Sequence, residues 1–379
     1  MRQQHEGGRR KAEGGRRASE GGFTLVELLV SMTVMLLVVG SVFTLLDPSQ
    51  STSRTQPEAA DVLQRLRISA DMMERDLLMA GAGTYSGAIA GSLANFFPPV
   101  LPYRTGAIAS DPGLSHFVDR ISIVYVPDTA AQTTIREPMP QPSSEIKVDA
   151  QPGCPANDQL CGFDVGMRVV IFDDTGSWDV FTITHVQASA LHLQHRPPNP
   201  DFTKKYTPLE NARIAMVENH VYWLNRATNQ LHHYDGFQED IPIVDNVAAM
   251  RIRYFGDPNP PLAPRPLPGQ SNCIFDGSGT PLLPTLPSNG SSLVELPASM
   301  LTDGPSCGTA PNDFDADVFR IRKVSVQLRV QASAAELRGV NPPNQTLFLN
   351  PGTSNSAYRR VPDYVVEFDV TPRNMNLVR

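Results

Sequence analysis

Gly21-Gly22-Phe23-Thr24-Leu25-Val26-Glu27-Leu28-Leu29-Val30 opens an apolar run that reaches Leu46 and carries one charge, Glu27. A helix from Phe23 to Leu46 would rise about 36 Å, at roughly 1.5 Å per residue, enough to cross a bilayer. A lone acid in such a span is costly, about 2.5–3.5 kcal/mol at a helix centre and less near an interface. A plain membrane anchor has no use for it. The preceding residues, 1–22, are Gly-rich and charged, with Arg2, Arg9, Arg10, Lys11, Arg16 and Arg17 against three Glu. They read as a leader outside the fold, and their basic character predicts a cytoplasmic N-terminus with everything after Leu46 on the other side.

Simpler targeting signals fit poorly. A cleaved secretory signal has a short apolar core and a small-x-small site; here the run is long and ends Thr44-Leu45-Leu46-Asp47-Pro48. Arg9-Arg10 and Arg16-Arg17 lack the apolar residues that follow a twin-arginine signal. A signal anchor fits the length and leaves Gly22-Phe23 and Glu27 unexplained.

Gly22-Phe23-Thr24-Leu25-Val26-Glu27 resembles the prepilin cleavage and methylation motif of the type IV pilin and type II secretion pseudopilin superfamily. The resemblance implies cleavage between Gly22 and Phe23 by a prepilin peptidase and N-methylation of Phe23. Glu27 then becomes an assembly residue: an N-terminal ammonium on a neighbouring subunit can pair with it, and methylation keeps that charge. Such a desolvated pair sets register more than it adds stability.

Past Leu46, Asp47-Pro48 and Gln56-Pro57 should punctuate the helix, because proline lacks a backbone donor and disfavours helix before it. An amphipathic helix is then expected within 47–80, with Val62, Leu66, Ala70, Met73 and Leu77 as an apolar stripe facing a core. Asp76-Leu77-Leu78-Met79-Ala80-Gly81 resembles a stretch that follows the helix in PilW-type minor pilins.

Residues 81–379 read as a β-rich globular body. Gly81–Gly113 looks like a long connection. Strands are expected at Phe117–Val126, Met167–Asp173, Trp178–Val186, Ala190–His195, Arg213–Val217, His220–Leu224, Gln230–Tyr234, Met250–Phe255, Val318–Val330 and Asp363–Val370. Asp174-Thr175-Gly176-Ser177 and Asn225–Asn229 supply turns. Along 318–330, Val324, Val326, Leu328 and Val330 alternate with Lys323, Ser325, Gln327 and Arg329. Twelve of the 34 prolines fall in 256–315, which marks that stretch as a loop excursion. The fold class is α+β: a long N-terminal helix, half membrane and half packed, on an antiparallel sheet domain with long Pro/Gly-rich loops.

Cysteines fall as Cys154/Cys161 and Cys273/Cys307, without zinc-type spacing, so two local disulfides in an oxidising compartment are expected, among three possible connectivities. Of 32 Lys/Arg and 39 Asp/Glu, six and three lie in the leader, which leaves 26 and 36 and a body near −10. That balance argues against nucleic-acid binding.

Catalytic motifs such as G-x-S-x-G, H-E-x-x-H and the phosphate-binding loop are absent, so the chain is not expected to be an enzyme, and no cofactor is assigned. His185, His192, His195, His232 and His233 read as ordinary strand histidines, and Trp178, Tyr222, Trp223 and Tyr234 as core or cross-strand aromatics. Asp313, Asp315 and Asp317, beside Asn312, could offer oxygens to a hard cation such as Ca²⁺. The turn Gly and closing Glu of an EF-hand are missing, and the run reads first as a solvated acidic loop. Sequons at Asn289 and Asn344 carry little weight.

The expectation is thus a minor pilin-like subunit, single-pass in the inner membrane with a periplasmic body, which joins or primes a type IV pilus. Its implied partners are the prepilin peptidase/methyltransferase, other pilin or pseudopilin subunits and an inner-membrane assembly platform. Two alternatives stand beside it: a type II secretion minor pseudopilin, and a fibre-tip adhesin or ligand-binding module using 256–315.

Overall fold

The computed structural model describes residues 22–85, 91–127, 131–151, 153–195, 201–288, 290–338 and 361–376. The leader through Gly21 and both sequons lie outside them. The chain divides into two compact units, Met1–Gln56 and Pro57–Arg379.

One α-helix, Leu25–Met79, contributes to both units. It runs unbroken through Pro48 and Pro57, which corrects the expectation of two helical segments. A proline inside a helix removes one hydrogen bond and crowds the preceding turn, costing about 3 kcal/mol. That cost can be absorbed by bending when the flanking residues favour helix. In the first unit, Leu25–Phe43 is long and apolar enough to cross a membrane, with a mean hydropathy of 2.3 and none of it buried.

In the second unit the helical stripe is core. Val62, Met73 and Leu77 are fully buried and Leu66 nearly so, whereas Ala70 is half-buried. Ser69 and Asp76 share the buried face, so the stripe is wider and more polar than its apolar members suggest. Polar contacts hold the segment at both ends. Arg65 donates to the carbonyls of Asp245 and Gln331 at 3.2 and 3.3 Å, and Glu58 accepts from the Ser333 hydroxyl at 2.7 Å. At the far end Tyr222 donates to Asp76.

Among the described residues three larger sheets form, all antiparallel. The first runs in spatial order Asp240–Asp245, Gln230–Tyr234, Glu218–Asn225, Arg120–Tyr125 and Val100–Leu101. The second is ordered Gln132–Thr134, Arg213–Met216, Arg168–Phe172 and Trp178–Thr182. The third is ordered Val294–Leu296, Val247–Gly256, Ile321–Val330 and Tyr364–Val370.

The second sheet is buried on both faces, which its period-two alternation makes visible. Val170, Phe172 and Ala215 join the main core with the helix and the other two sheets. Val169, Ile171 and Ile214, pointing the other way, enter a separate core with Ile146, Leu193 and Phe202. On the main-core face, beside Ala215, Arg213 is fully buried, ion-paired to Asp174 at 2.8 Å and laid over the Phe96 ring at 4.4 Å.

One further reading needs correction. Residues 81–113 are not a free connection: Leu93, Phe96, Phe97, Val100, Leu101 and Tyr103 are buried in the main core. Gly83, at φ 102°, lies where a Cβ would come within 2.3 Å of Val126, so no other residue fits that return. Along strand 321–330, Ser325, Gln327 and Arg329 are buried like the valines, whereas Lys323 is half-buried. Strands pair with it on both sides.

Candidate functional site

Thr24 and Glu27 close the start of the long helix by reciprocal hydrogen bonds. The Thr24 amide donates to Glu27 Oε2 at 2.9 Å, and the Thr24 hydroxyl donates to the same oxygen at 2.9 Å. In return the Glu27 amide donates to Thr24 Oγ1 at 3.2 Å. This is a capping box, with Thr24 as N-cap and Glu27 at the third helical position, satisfying amides that have no partner within the helix. The T-x-x-E spacing was legible in the sequence, yet the reading of Glu27 as an assembly residue passed over it. Glu27 therefore has a local use that does not depend on a second subunit.

Around the box the chain is open. Phe23 is 87 % exposed, and a side chain at Gly22 would meet nothing within 4 Å. The Gly22-Phe23 bond thus sits in an uncrowded segment just before the helix begins at Leu25. From Leu25 to Phe43 the apolar side chains face outward on all sides, as a segment solvated by lipid or by like helices requires.

Residues 17–43 match the family described as the prokaryotic N-terminal methylation motif. The chain carries the N-terminal signature of the type IV pilin and pseudopilin superfamily. That signature implies processing by a prepilin peptidase and assembly with other pilin-type subunits. No curated protein matches the chain. Among solved structures, a type IV-like pilin from Thermus thermophilus is similar at 10% identity over 56% of this chain and 87% of that one, with a TM-score of 0.19. So distant a likeness carries no argument about the body, and the prepilin signature rests on the N-terminal residues.

Both expected disulfides are present. Cys154–Cys161 joins Cα atoms 5.5 Å apart across a short loop, and Cys273–Cys307 joins Cα atoms 5.1 Å apart across 34 positions. The second closes the proline-rich excursion on itself, and other contacts hold it against the second sheet. Asn272 donates to the Asp174 carbonyl at 3.0 Å, Asn312 donates to the Trp178 carbonyl at 3.1 Å, and Gly176, at φ 88°, lies against Cys307. Ile274, Phe275, Leu283, Leu296 and Leu301 bury into the main core, so this stretch is an ordered part of the body.

The aspartate run does not behave as a solvated loop, nor does it converge on one point. Asp315 and Asp317 are buried, whereas Asp313 is turned toward Gly113 and Tyr103. Asp315 accepts from the Asp317 amide at 2.8 Å and caps the short 3-10 helix Ala316–Arg320. Asp317 pairs with the fully buried Arg320. Burial pushes the Asp317 carboxyl up to about 6, with Arg320 opposing the shift. Asp303 joins Asp315 and Asp317 in space, but their hydrogen bonds serve the turn.

The histidines also separate. His192 pairs with Glu145 at 3.2 Å, His195 stacks on Phe202 at 3.9 Å between ring centres, and His232 pairs with Asp240 at 3.0 Å. His233 turns to the other face of its strand, toward His220, which the sequence reading did not single out. Trp178, Tyr222 and Tyr234 are buried as expected; Trp223 is half-buried and stacks by His232.

Proposed function

We propose that this chain is a minor, low-copy pilin-like subunit that is anchored in the inner membrane, cut between Gly22 and Phe23, methylated at Phe23 and then built into or used to prime a type IV pilus. The observation that carries the reading is the methylation motif over residues 17–43 at the head of an exposed apolar helix. The body lies on the periplasmic side, consistent with its disulfides and with the basic leader. Its work is assembly, without an enzymatic step or a cofactor.

In the fibre, Glu27 pairs with the amine of a neighbour's Phe23. Its capping role sharpens how this is tested. Gln at the third helical position still completes a capping box, whereas Ala does not. Glu27→Gln therefore keeps the helix start and removes the charge. The expected result is normal insertion and cleavage with at least tenfold less incorporation into fibres. Normal incorporation of Glu27→Gln would overturn the pairing role and leave Glu27 as a cap alone. Mass spectrometry of the mature protein should find methylated Phe23 as its first residue; an intact Met1 would sink the whole reading.

A type II secretion pseudopilin would use the same processing and the same helix. Complementation in pilus and secretion strains separates the two, because only one machine should lose function when the chain is deleted. The tip-adhesin reading would use the exposed part of 256–315, whose buried residues Ile274, Phe275, Leu283, Leu296 and Leu301 anchor it to the core.

A further inference from the structure

Three ligating atoms meet where the packed helix crosses the first sheet. Alternation along 218–225 places Glu218, His220 and Tyr222 on one face, and His233 lies directly opposite Tyr222 on the next strand. Asp76 reaches the same point from the helix. His220 Nδ1 lies 3.2 Å from Asp76 Oδ2 and 2.9 Å from His233 Nε2, and all three atoms fall within 4.8 Å of one another. Around a tetrahedral ion with bonds of about 2.0–2.1 Å, ligand atoms sit about 3.3 Å apart. The two His220 separations, 3.2 and 2.9 Å, are near that value.

The surroundings are those of a metal site's supporting shell. On the far side of its ring, His220 Nε2 lies 3.0 Å from the Tyr125 hydroxyl and 3.5 Å from Glu218 Oε2. Tyr125 is also stacked flat on the His220 ring, with centres 5.2 Å apart. In the tautomer whose Nε2 proton points to Glu218, Nδ1 carries the lone pair. That lone pair faces an anionic oxygen and a second imidazole, an arrangement that calls for a cation between them. Tyr222 donates to the same oxygen, Asp76 Oδ2, and fixes the carboxylate in place.

We propose that Asp76 Oδ2, His220 Nδ1 and His233 Nε2 bind one divalent first-row transition metal of the zinc type, which ties the helix to the first sheet. Two imidazoles and one carboxylate suit Zn²⁺ and exclude Ca²⁺ and Mg²⁺, which take oxygen ligands. Asp76 is buried and both histidines are half-buried, so the fourth position falls to water. The site is independent of the processing motif and would stand whichever machine the chain joins.

The test uses the full chain in detergent, purified without a polyhistidine tag, stripped with chelator and titrated with Zn²⁺ against a chromophoric competitor. One equivalent should bind, and His220→Ala and His233→Ala should each weaken it by at least tenfold. His232→Ala, on the opposite face, should leave it unchanged. Tyr125→Phe, which removes only support, should weaken it by roughly tenfold, as loss of an outer-shell partner does. Co²⁺ loading of the unmutated chain reports the same site without any substitution, through visible absorption bands of low-coordinate nitrogen–oxygen ligation. Absence of a stoichiometric site in the unmutated chain would overturn the proposal and leave a proton as the shared cation. Binding that survives both histidine substitutions would overturn it as well.

Discussion

Two stretches of one helix use the same side chains in opposite ways. Between Leu25 and Phe43 the leucines, valines and methionines all face outward, Met35 at 68 % exposure. Between Val62 and Ala80 one stripe of apolar residues recurs every three or four positions and is buried in the core, Met73 at 0 %, while Leu63, Ile68, Leu78 and Met79 stay exposed. Hydrophobicity alone therefore does not say where a helix belongs; its distribution around the axis does. An all-round apolar surface needs lipid or like helices, whereas a stripe needs a sheet. Disrupting the body should leave the first stretch untouched.

The largest effect should come from the covalent staple of the body. Removing Cys273–Cys307 by the double Ser variant frees a loop of 34 positions and should cost about 4 kcal/mol in the chain-entropy account, against about 2.5 kcal/mol for Cys154–Cys161. Urea unfolding followed by tryptophan fluorescence would rank the two. Membrane insertion should not change in either. An equal or reversed ranking would show that the excursion's packing, not its loop length, sets the contribution.

Next comes the direct comparison of two methionines. Met73→Ala opens a cavity in a filled core and should cost about 3 kcal/mol. Met35→Ala removes an exposed side chain and should shift body stability by less than about 0.5 kcal/mol. If Met35→Ala destabilised the body as much, the two stretches would not be separate environments.

The pH response differs as well. Asp179 is buried in the body and accepts from the Thr203 amide, the Tyr206 hydroxyl and Asn312, yet burial pushes its carboxyl up to about 6. An acid whose folded value exceeds its unfolded value, about 3.9, binds more protons when folded between the two. Stability should therefore fall by about 2 to 3 kcal/mol as pH climbs from about 4 to about 6, and level off above. Asp179→Asn should lose that share of the slope and keep the share from Asp317. Unfolding midpoints across this window would measure it, while the helicity of the apolar stretch should stay constant.

The first stretch was legible because every element of its signal is local: a leader, Gly22-Phe23, Glu27 and an unbroken apolar run. Most strands were legible for the same reason, since alternation is written within five or six residues; Gln230–Tyr234 was read to the residue. What escaped depended on partners distant in sequence. Residues 93–103 look like a loop, but Phe97 packs on Trp178 at 5.2 Å between ring centres. The proline at 57 suggested a break, which burial of Val62 and Met73 overrides. Asp76, His220 and His233 could not be grouped by spacing, because one comes from the helix and the others from neighbouring strands. Proximity in sequence instead suggested His232 and His233 together, and a strand sends adjacent side chains to opposite faces.

The smallest effect tests whether the exposed stretch has any polar structure of its own. Its capping box is its one reciprocal side-chain link, Thr24 to Glu27. Thr24→Val keeps the shape and removes the hydroxyl, so the Glu27 amide loses its acceptor. Loss of an N-cap costs about 1 kcal/mol, equivalent to roughly fivefold faster hydrogen exchange at that amide if opening is local. Exchange in micelles, read at Glu27, is the measurement, and Val34 and later amides should not respond. Glu27→Gln should leave the Glu27-position amide as protected as before, because the Thr24 hydroxyl still accepts from it. Should Thr24→Val unwind the stretch well beyond its first turn, the cap would be a nucleus for the span. An unchanged rate would mean that the lipid-like environment, not the box, holds the helix start.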